Sequence, residues 1–179
     1  MTIADYLTLG RIIVAPIVFI LFLQDNSTAK EVAFVLFSLG AISDTLDGYI
    51  ARRTKLSDFG KLWDPIADKL LTGLALIALS IFGILPWWIA AGLVLRDIVV
   101  TAVRIAKIKS EGKIILPVLA AKLKTTLEMI LIVGLLFWET FIGRPMSSPL
   151  QITVLVWGCV VLVLSWGTGI GYLLKSRKI

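Results

Sequence analysis

The chain has 179 residues, 58% of them hydrophobic and only 17% charged, with a mean hydropathy of +0.95. Soluble domains carry about a quarter charged residues, so this composition excludes an ordinary water-soluble fold. The net charge of +6 would raise nucleic acid as a partner in a soluble protein. In a membrane chain it is explained by topology and by attraction to anionic headgroups, and no nucleic acid is expected.

Apolar runs of about 20 residues recur, each about long enough to cross a ~30 Å hydrocarbon core. Six can be drawn, at about 6–24, 31–52, 60–83, 86–108, 117–139 and 149–174. The breaks carry turn-forming punctuation: "QDNSTAK", "RRTKLSDFG", "FGILP", "KSEGKIILP" and "GRPMSSP". The expected fold is therefore an all-α integral membrane protein of six transmembrane helices, forming a single domain over 1–179. The first run, "MTIADYLTLGRIIVAPIVFILFL", lacks a basic leading region and a small-residue cleavage site, which favours a retained helix over a signal peptide.

Basic residues then predict the orientation. Arg52, Arg53, Lys55 and Lys61 crowd the second connection, Lys107, Lys109 and Lys113 the fourth, and Lys175, Arg177 and Lys178 the C-terminal tail. The alternate connections hold little beyond Lys30 and Arg144. Both termini are expected on the cytoplasmic side. The single Cys159 allows no internal disulfide, and the lack of any histidine excludes histidine metal ligands, histidine bases and Ser-His-Asp chemistry.

The most informative stretch is "DTLDGYIARRTKLSDFGKLWDPIAD", residues 44–68. At about 100° per residue, Asp44, Asp47, Gly48 and Ala51 share one helical face, and Gly60, Asp64 and Asp68 share another on the next helix. An antiparallel pair joined by a short basic loop can aim these faces at each other, at the cytoplasmic mouth. Converging carboxylates repel, and a divalent cation resolves the repulsion. Oxygen ligands without histidine or cysteine point to Mg²⁺, Mn²⁺ or Ca²⁺ rather than zinc, and four carboxylates suffice for two ions. Two such ions suit phosphoryl chemistry. The bland alternative pairs these aspartates with the basic residues of the connecting loop. Pro65 fits either an early helical turn after an Asp64 cap or a kink.

The pattern Asp44-x2-Asp47-Gly48-x2-Ala51-Arg52-x7-Gly60-x3-Asp64-x3-Asp68 resembles the signature of the CDP-alcohol phosphotransferase family, with eight specified residues over a span of 25. The resemblance implies that fold's six membrane helices and a two-metal centre of Mg²⁺ or Mn²⁺. It makes Asp44, Asp47 and Asp64 metal ligands, with Asp68 touching a metal and serving as general base. It places Asp47, Gly48, Ala51 and Arg52 near the cytidine diphosphate, with Gly60 packed closely there. The implied reaction is attack by an alcohol hydroxyl on the lipid-linked phosphate, expelling CMP.

The acceptor is less clearly marked. Arg96 and Arg104 lie eight residues apart on the fourth run, and Lys122 and Lys124 open the fifth. Cations inside membrane helices are functional candidates, and a cluster of them suits a phosphate-bearing acceptor. The competing role is snorkelling or internal pairing, for instance of Arg96 with Asp97 or Glu128. Arg104 and Lys124 are expected nearer the mouth. "LRDIVVTAVR", "AAKLKTT" and the opening "ADYLTLGRIIVAPIVFIL" resemble segments of bacterial phosphatidylglycerophosphate synthases. Asp5 stands where Asn is usual there, and Asp97 where Glu is commoner. This narrower resemblance implies CDP-diacylglycerol as donor and glycerol 3-phosphate as acceptor, within a bacterial inner membrane and with the site facing the cytoplasm. Inositol phosphate, serine or phosphatidylglycerol are the alternative acceptors.

Two other functions compete. An intramembrane prenyltransferase also binds diphosphate through aspartates, but its acidic motifs stand far apart in sequence. A divalent-cation transporter should place carboxylates near the midplane or at both faces, not at one. Gly158, Gly167, Gly169 and Gly171 suggest close helix packing or a homodimer face. The tryptophans read as belt or packing residues, in contact with membrane lipids.

Overall fold

A computed structural model describes residues 3–50, 58–111, 119–143 and 145–177, with the side chains bordering the gaps at 51–57 and 112–118 and those near both ends left aside. Within these residues the chain is all helix and turn. The helices are α1 Ile3–Leu23, α2 Ser27–Ile50, α3 Asp58–Ile81, α4 Trp87–Glu111, α5 Leu119–Phe137 and α6 Ser148–Arg177. A π-helical turn, Trp138–Ile142, prolongs α5.

Local chemistry fixes the helix ends. Asn26 caps α2, its Oδ1 accepting the Thr28 N–H at 2.9 Å. α3 stops at a Schellman turn. Gly83 adopts φ 70°, its N–H donates to Ser80 O at 3.0 Å, and the Ile84 N–H reaches Leu79 O at 3.0 Å. A left-handed residue is needed there, and glycine adopts it without a Cβ penalty. Gly143, at φ 59°, closes the π-helical turn by donating to Trp138 O at 3.0 Å. Pro65 lies inside α3, which begins at Asp58, so the early-turn alternative fails. In the helix interior a proline leaves one carbonyl of the preceding turn without its donor.

The core runs along the bundle axis, from Ala15, Val18 and Phe22 of α1 through Leu76 and Leu79 of α3 to Ile89 and Leu93 of α4. α1 packs on both α2 and α3, α3 on α4, and α6 on both α4 and α5. Phe22 and Phe82 meet edge to face, with centroids 5.5 Å apart. Glycines let α6 approach α4. A Cβ on Gly158 would stand 2.9 Å from Ile89 Cδ1, one on Gly92 2.8 Å from Leu162 Cδ1, and one on Gly169 3.2 Å from Arg96 Nε. Gly158 and Gly169 thus serve packing within the chain, whereas Gly167 and Gly171 face open space among the described residues.

The exterior is apolar. Ile13, Ile20, Leu39, Leu95, Ile98, Leu123 and Val163 are all more than half exposed, while Arg96, Asp97, Lys124 and Glu128 are buried. Water-soluble proteins rarely expose contiguous apolar surface on this scale. Among the described residues, Leu123–Ile142 and Ser148–Gly171 are long and apolar enough to cross a membrane, and Thr8–Leu23 is a shorter apolar helix. α2, α3 and α4 carry charged residues that lower their apolarity: Asp44 and Asp47, Lys69, and Arg96 with Asp97. An all-helical chain with this surface is consistent with a membrane protein.

Candidate active site

Asp44 and Asp47 lie in the last two turns of α2, and Asp64 and Asp68 in the first half of α3. Both pairs keep the helical spacing that puts them on one face. Gly48 lies in the same last turn of α2, and Gly60 in the first turn of α3. The side chains of Asp44, Asp47, Asp64, Arg104 and Lys122 lie outside the described set, as do Ala51 and Arg52 entirely. Among the described residues no group of three or more carboxylate or cysteine side chains could hold a metal ion. The donor set at positions 44, 47, 64 and 68 is all carboxylate, and that chemistry fits a hard divalent cation.

Asp68 is described, and it opens onto a buried network that spans four helices. Its Oδ2 lies 3.2 Å from Nζ of the adjacent Lys69. That ammonium also meets Asp97 Oδ2 of α4 at 3.0 Å. The other Asp97 oxygen, Oδ1, accepts from Arg96 Nη1 at 2.8 Å and from Lys124 Nζ of α5 at 3.0 Å. Lys124 further pairs with Glu128 Oε2, one turn on, at 2.6 Å. Arg96 reaches α6, where its Nε donates to Ser165 O at 2.9 Å and its Nη2 to Thr168 Oγ1 at 3.2 Å.

Asp97 is therefore the centre of the network, with cations from α3, α4 and α5 on its two oxygens. Isolated charges at this depth would be expensive, and mutual pairing is what makes their burial tolerable. Three cations, Lys69, Arg96 and Lys124, face three carboxylates, Asp68, Asp97 and Glu128. Among the described residues the set is balanced, and Arg96 and Lys124 are each paired with Asp97.

This bears on the four cations read from sequence as an acceptor site. For Arg96 the internal pairing with Asp97 is what the structure brings about. Lys124, expected nearer the mouth, is instead 1% exposed between Asp97 and Glu128. Sequence reasoning missed Lys69, because it lies about 100° around the helix from the Asp64–Asp68 face. The signal was a cation adjoining a carboxylate inside an apolar helix. Thr8 and Arg11 of α1, in the opening segment, are also buried, at 0% and 4% exposure.

A cavity of about 890 Å³ lies toward the other end of α3, lined by Ser80, Phe82, Trp87, Trp138, Glu139 and Gln151 among others. Lys30 braces that end by pairing with Glu139 at 2.7 Å and resting 4.5 Å over the Phe82 ring. It is remote along α3 from Asp68.

Residues 1–166 match the family described as CDP-alcohol phosphatidyltransferase. A protein of Mycobacterium tuberculosis named probable phosphatidylglycerophosphate synthase is 36% identical over 180 residues, covering 98% of this chain and 81% of the relative. A Bacillus subtilis protein named CDP-diacylglycerol–glycerol-3-phosphate 3-phosphatidyltransferase is 34% identical over 143 residues, covering 73% and 74%. A Rickettsia typhi protein of the same name is 50% identical over 76 residues, 42% of this chain and 43% of the relative.

Proposed function

The chain belongs to the CDP-alcohol phosphatidyltransferase family, and on that premise we propose that it transfers the phosphatidyl group of CDP-diacylglycerol to glycerol 3-phosphate, giving phosphatidylglycerol phosphate and CMP. The observation that carries the substrate assignment is the near-complete coverage by a relative named for that synthesis. Helices with an apolar exterior suit a substrate that is itself a membrane lipid.

The acceptor hydroxyl oxygen bonds to the lipid-linked phosphorus, the bridging P–O bond breaks, and its electron pair leaves with CMP. Asp68 takes the hydroxyl proton as general base, a role that needs a carboxylate within hydrogen-bond reach of the positioned acceptor. Asp44, Asp47, Asp64 and Asp68 would hold the Mg²⁺ or Mn²⁺ ions, two in number. When bound, such ions neutralise the diphosphate and polarise the reacting phosphorus. Asp47, Gly48, Ala51, Arg52 and Gly60 flank the cytidine diphosphate. Arg104, Lys122, Arg96 and Lys124 are the acceptor-phosphate candidates, and of these Arg96 and Lys124 also pair with Asp97 in the buried network.

We further infer six membrane spans with both termini cytoplasmic and the aspartates at the cytoplasmic mouth of a bacterial inner membrane. Support comes from the six helices among the described residues and from lysine and arginine concentrated, along the sequence, between alternate apolar runs. Homodimers through the open Gly167 and Gly171 face remain part of this reading.

The deciding experiment is CMP release by purified protein from CDP-diacylglycerol with Mg²⁺ or Mn²⁺ and each candidate acceptor separately. Release that depends on glycerol 3-phosphate is expected. Release only with inositol phosphate, serine or phosphatidylglycerol would replace the acceptor. No release with any of them, from folded protein, would overturn the enzyme reading.

A further inference from the structure

We propose that Asp97 is a positioning residue for the transfer reaction: it pins the Lys69 ammonium against Asp68 and so fixes the carboxylate that takes the acceptor's proton. The inference rests on the assignment of Asp68 as general base and adds a residue from another helix to that site.

The geometry has three links. Lys69 Nζ lies 3.2 Å from Asp68 Oδ2 and 3.0 Å from Asp97 Oδ2, so one ammonium bridges the two carboxylates. A lysine has a flexible four-carbon stem and rotatable donors, and beside Asp68 alone it would sample many positions. Asp97 removes that freedom because it is itself held. Its Oδ1 accepts from Arg96 Nη1 at 2.8 Å and Lys124 Nζ at 3.0 Å. Arg96 in turn is tied to α6 through Ser165 O at 2.9 Å.

The Asp97 side chain is 7% exposed, and an ion cluster this buried gives little net stability over apolar packing of equal volume. What the arrangement does supply is a fixed position for Lys69. With Lys69 on Oδ2, the proton transfer assigned to Asp68 falls to its other oxygen. Asp97 is linked to Asp68 through the Lys69 ammonium, so its influence should run through Lys69 and appear in kcat rather than in donor binding.

The test is a double-mutant cycle of Asp97→Asn and Lys69→Met, with CMP release measured using whichever acceptor the wild type accepts. Each single variant should lower kcat by about tenfold or more, in the range seen when residues supporting a site are removed, with KM for CDP-diacylglycerol nearly unchanged. The double variant should be no slower than Lys69→Met alone, because Asp97 acts through that lysine. A double variant slowed by the product of the two single effects would overturn the proposal, as would wild-type kcat in Asp97→Asn.

Should Asp97→Asn fail to fold, Asp97→Glu keeps the charge and moves it by one methylene. A drop in kcat with unaltered donor KM supports positioning, and unchanged kcat opposes it. Wild-type protein inert with every acceptor would overturn the proposed function and this inference together. Active wild type with an indifferent Asp97 overturns only the inference.

Discussion

Lys124 and Asp97 meet 3.0 Å apart inside the bundle, with the lysine 1% exposed. A lysine so buried is tolerated only because Asp97 and Glu128 both contact its ammonium. Lys124→Met should therefore destabilise the protein by about 3–5 kcal/mol, because it leaves two carboxylates under-compensated. Lys124→Met combined with Glu128→Leu should recover much of that loss. Thermal unfolding in detergent checks both, and equal melting temperatures for the single variant and the wild type would show the pair to be energetically idle.

Arg96 and Arg104 should separate by phenotype. The Arg96 guanidinium is committed to Asp97, Ser165 O and Thr168, so Arg96→Ala removes a brace between α4 and α6 and lowers the melting temperature. Arg104→Ala should instead raise KM for a phosphorylated acceptor by about tenfold or more, the loss of one charge-assisted contact, with little change in KM for the lipid donor. Steady-state kinetics with each substrate varied in turn decides the matter. Equal effects on both KM values would mark Arg104 as structural.

The close approach of α6 to α4 gives a steric prediction. A Cβ at Gly169 would lie 3.2 Å from Arg96 Nε and 3.3 Å from Val100 Cγ2, and Gly169→Leu would add three more carbons there. Overpacking of this sort costs about 1–3 kcal/mol, and here it also pushes on the arginine that anchors Asp97. Lower stability together with lower turnover is expected. Gly171→Leu, in open space, should leave the melting temperature of the monomer within about 0.5 kcal/mol equivalent of wild type.

The helices were legible in the sequence because apolar runs and turn residues are local signals. The second run, read as 31–52, begins four residues earlier at Ser27, because Asn26 supplies a cap the hydropathy pattern does not weigh. The fifth run, read to 139, continues to Ile142 through a π-helical turn that no simple period anticipates. The spacing of Asp44 with Asp47 in α2 and of Asp64 with Asp68 in α3 was likewise legible, since spacing along one helix fixes a face. The Asp97 network was not. Helical periodicity says which residues share a face, but not which helix meets that face. Lys69, Asp97 and Lys124 meet only because α3, α4 and α5 pack together. The same limit misplaced Lys124 toward the mouth: a cation near the start of a helix looks accessible until the carboxylates of neighbouring turns are known.

Asp68→Asn offers the sharpest test of the base assignment. The substitution keeps the side chain's size and a carbonyl oxygen but removes its capacity to take a proton. Turnover should fall by about 10²–10⁴-fold, the usual contribution of a positioned general base. Asp44, Asp47 and Asp64 are untouched, so metal-dependent binding of CDP-diacylglycerol, measured by calorimetry in detergent, should be largely preserved. Loss of binding alongside turnover would make Asp68 chiefly a ligand-holding residue. Normal turnover would remove it from the chemistry, and the interpretation of Lys69 as its partner would go with it.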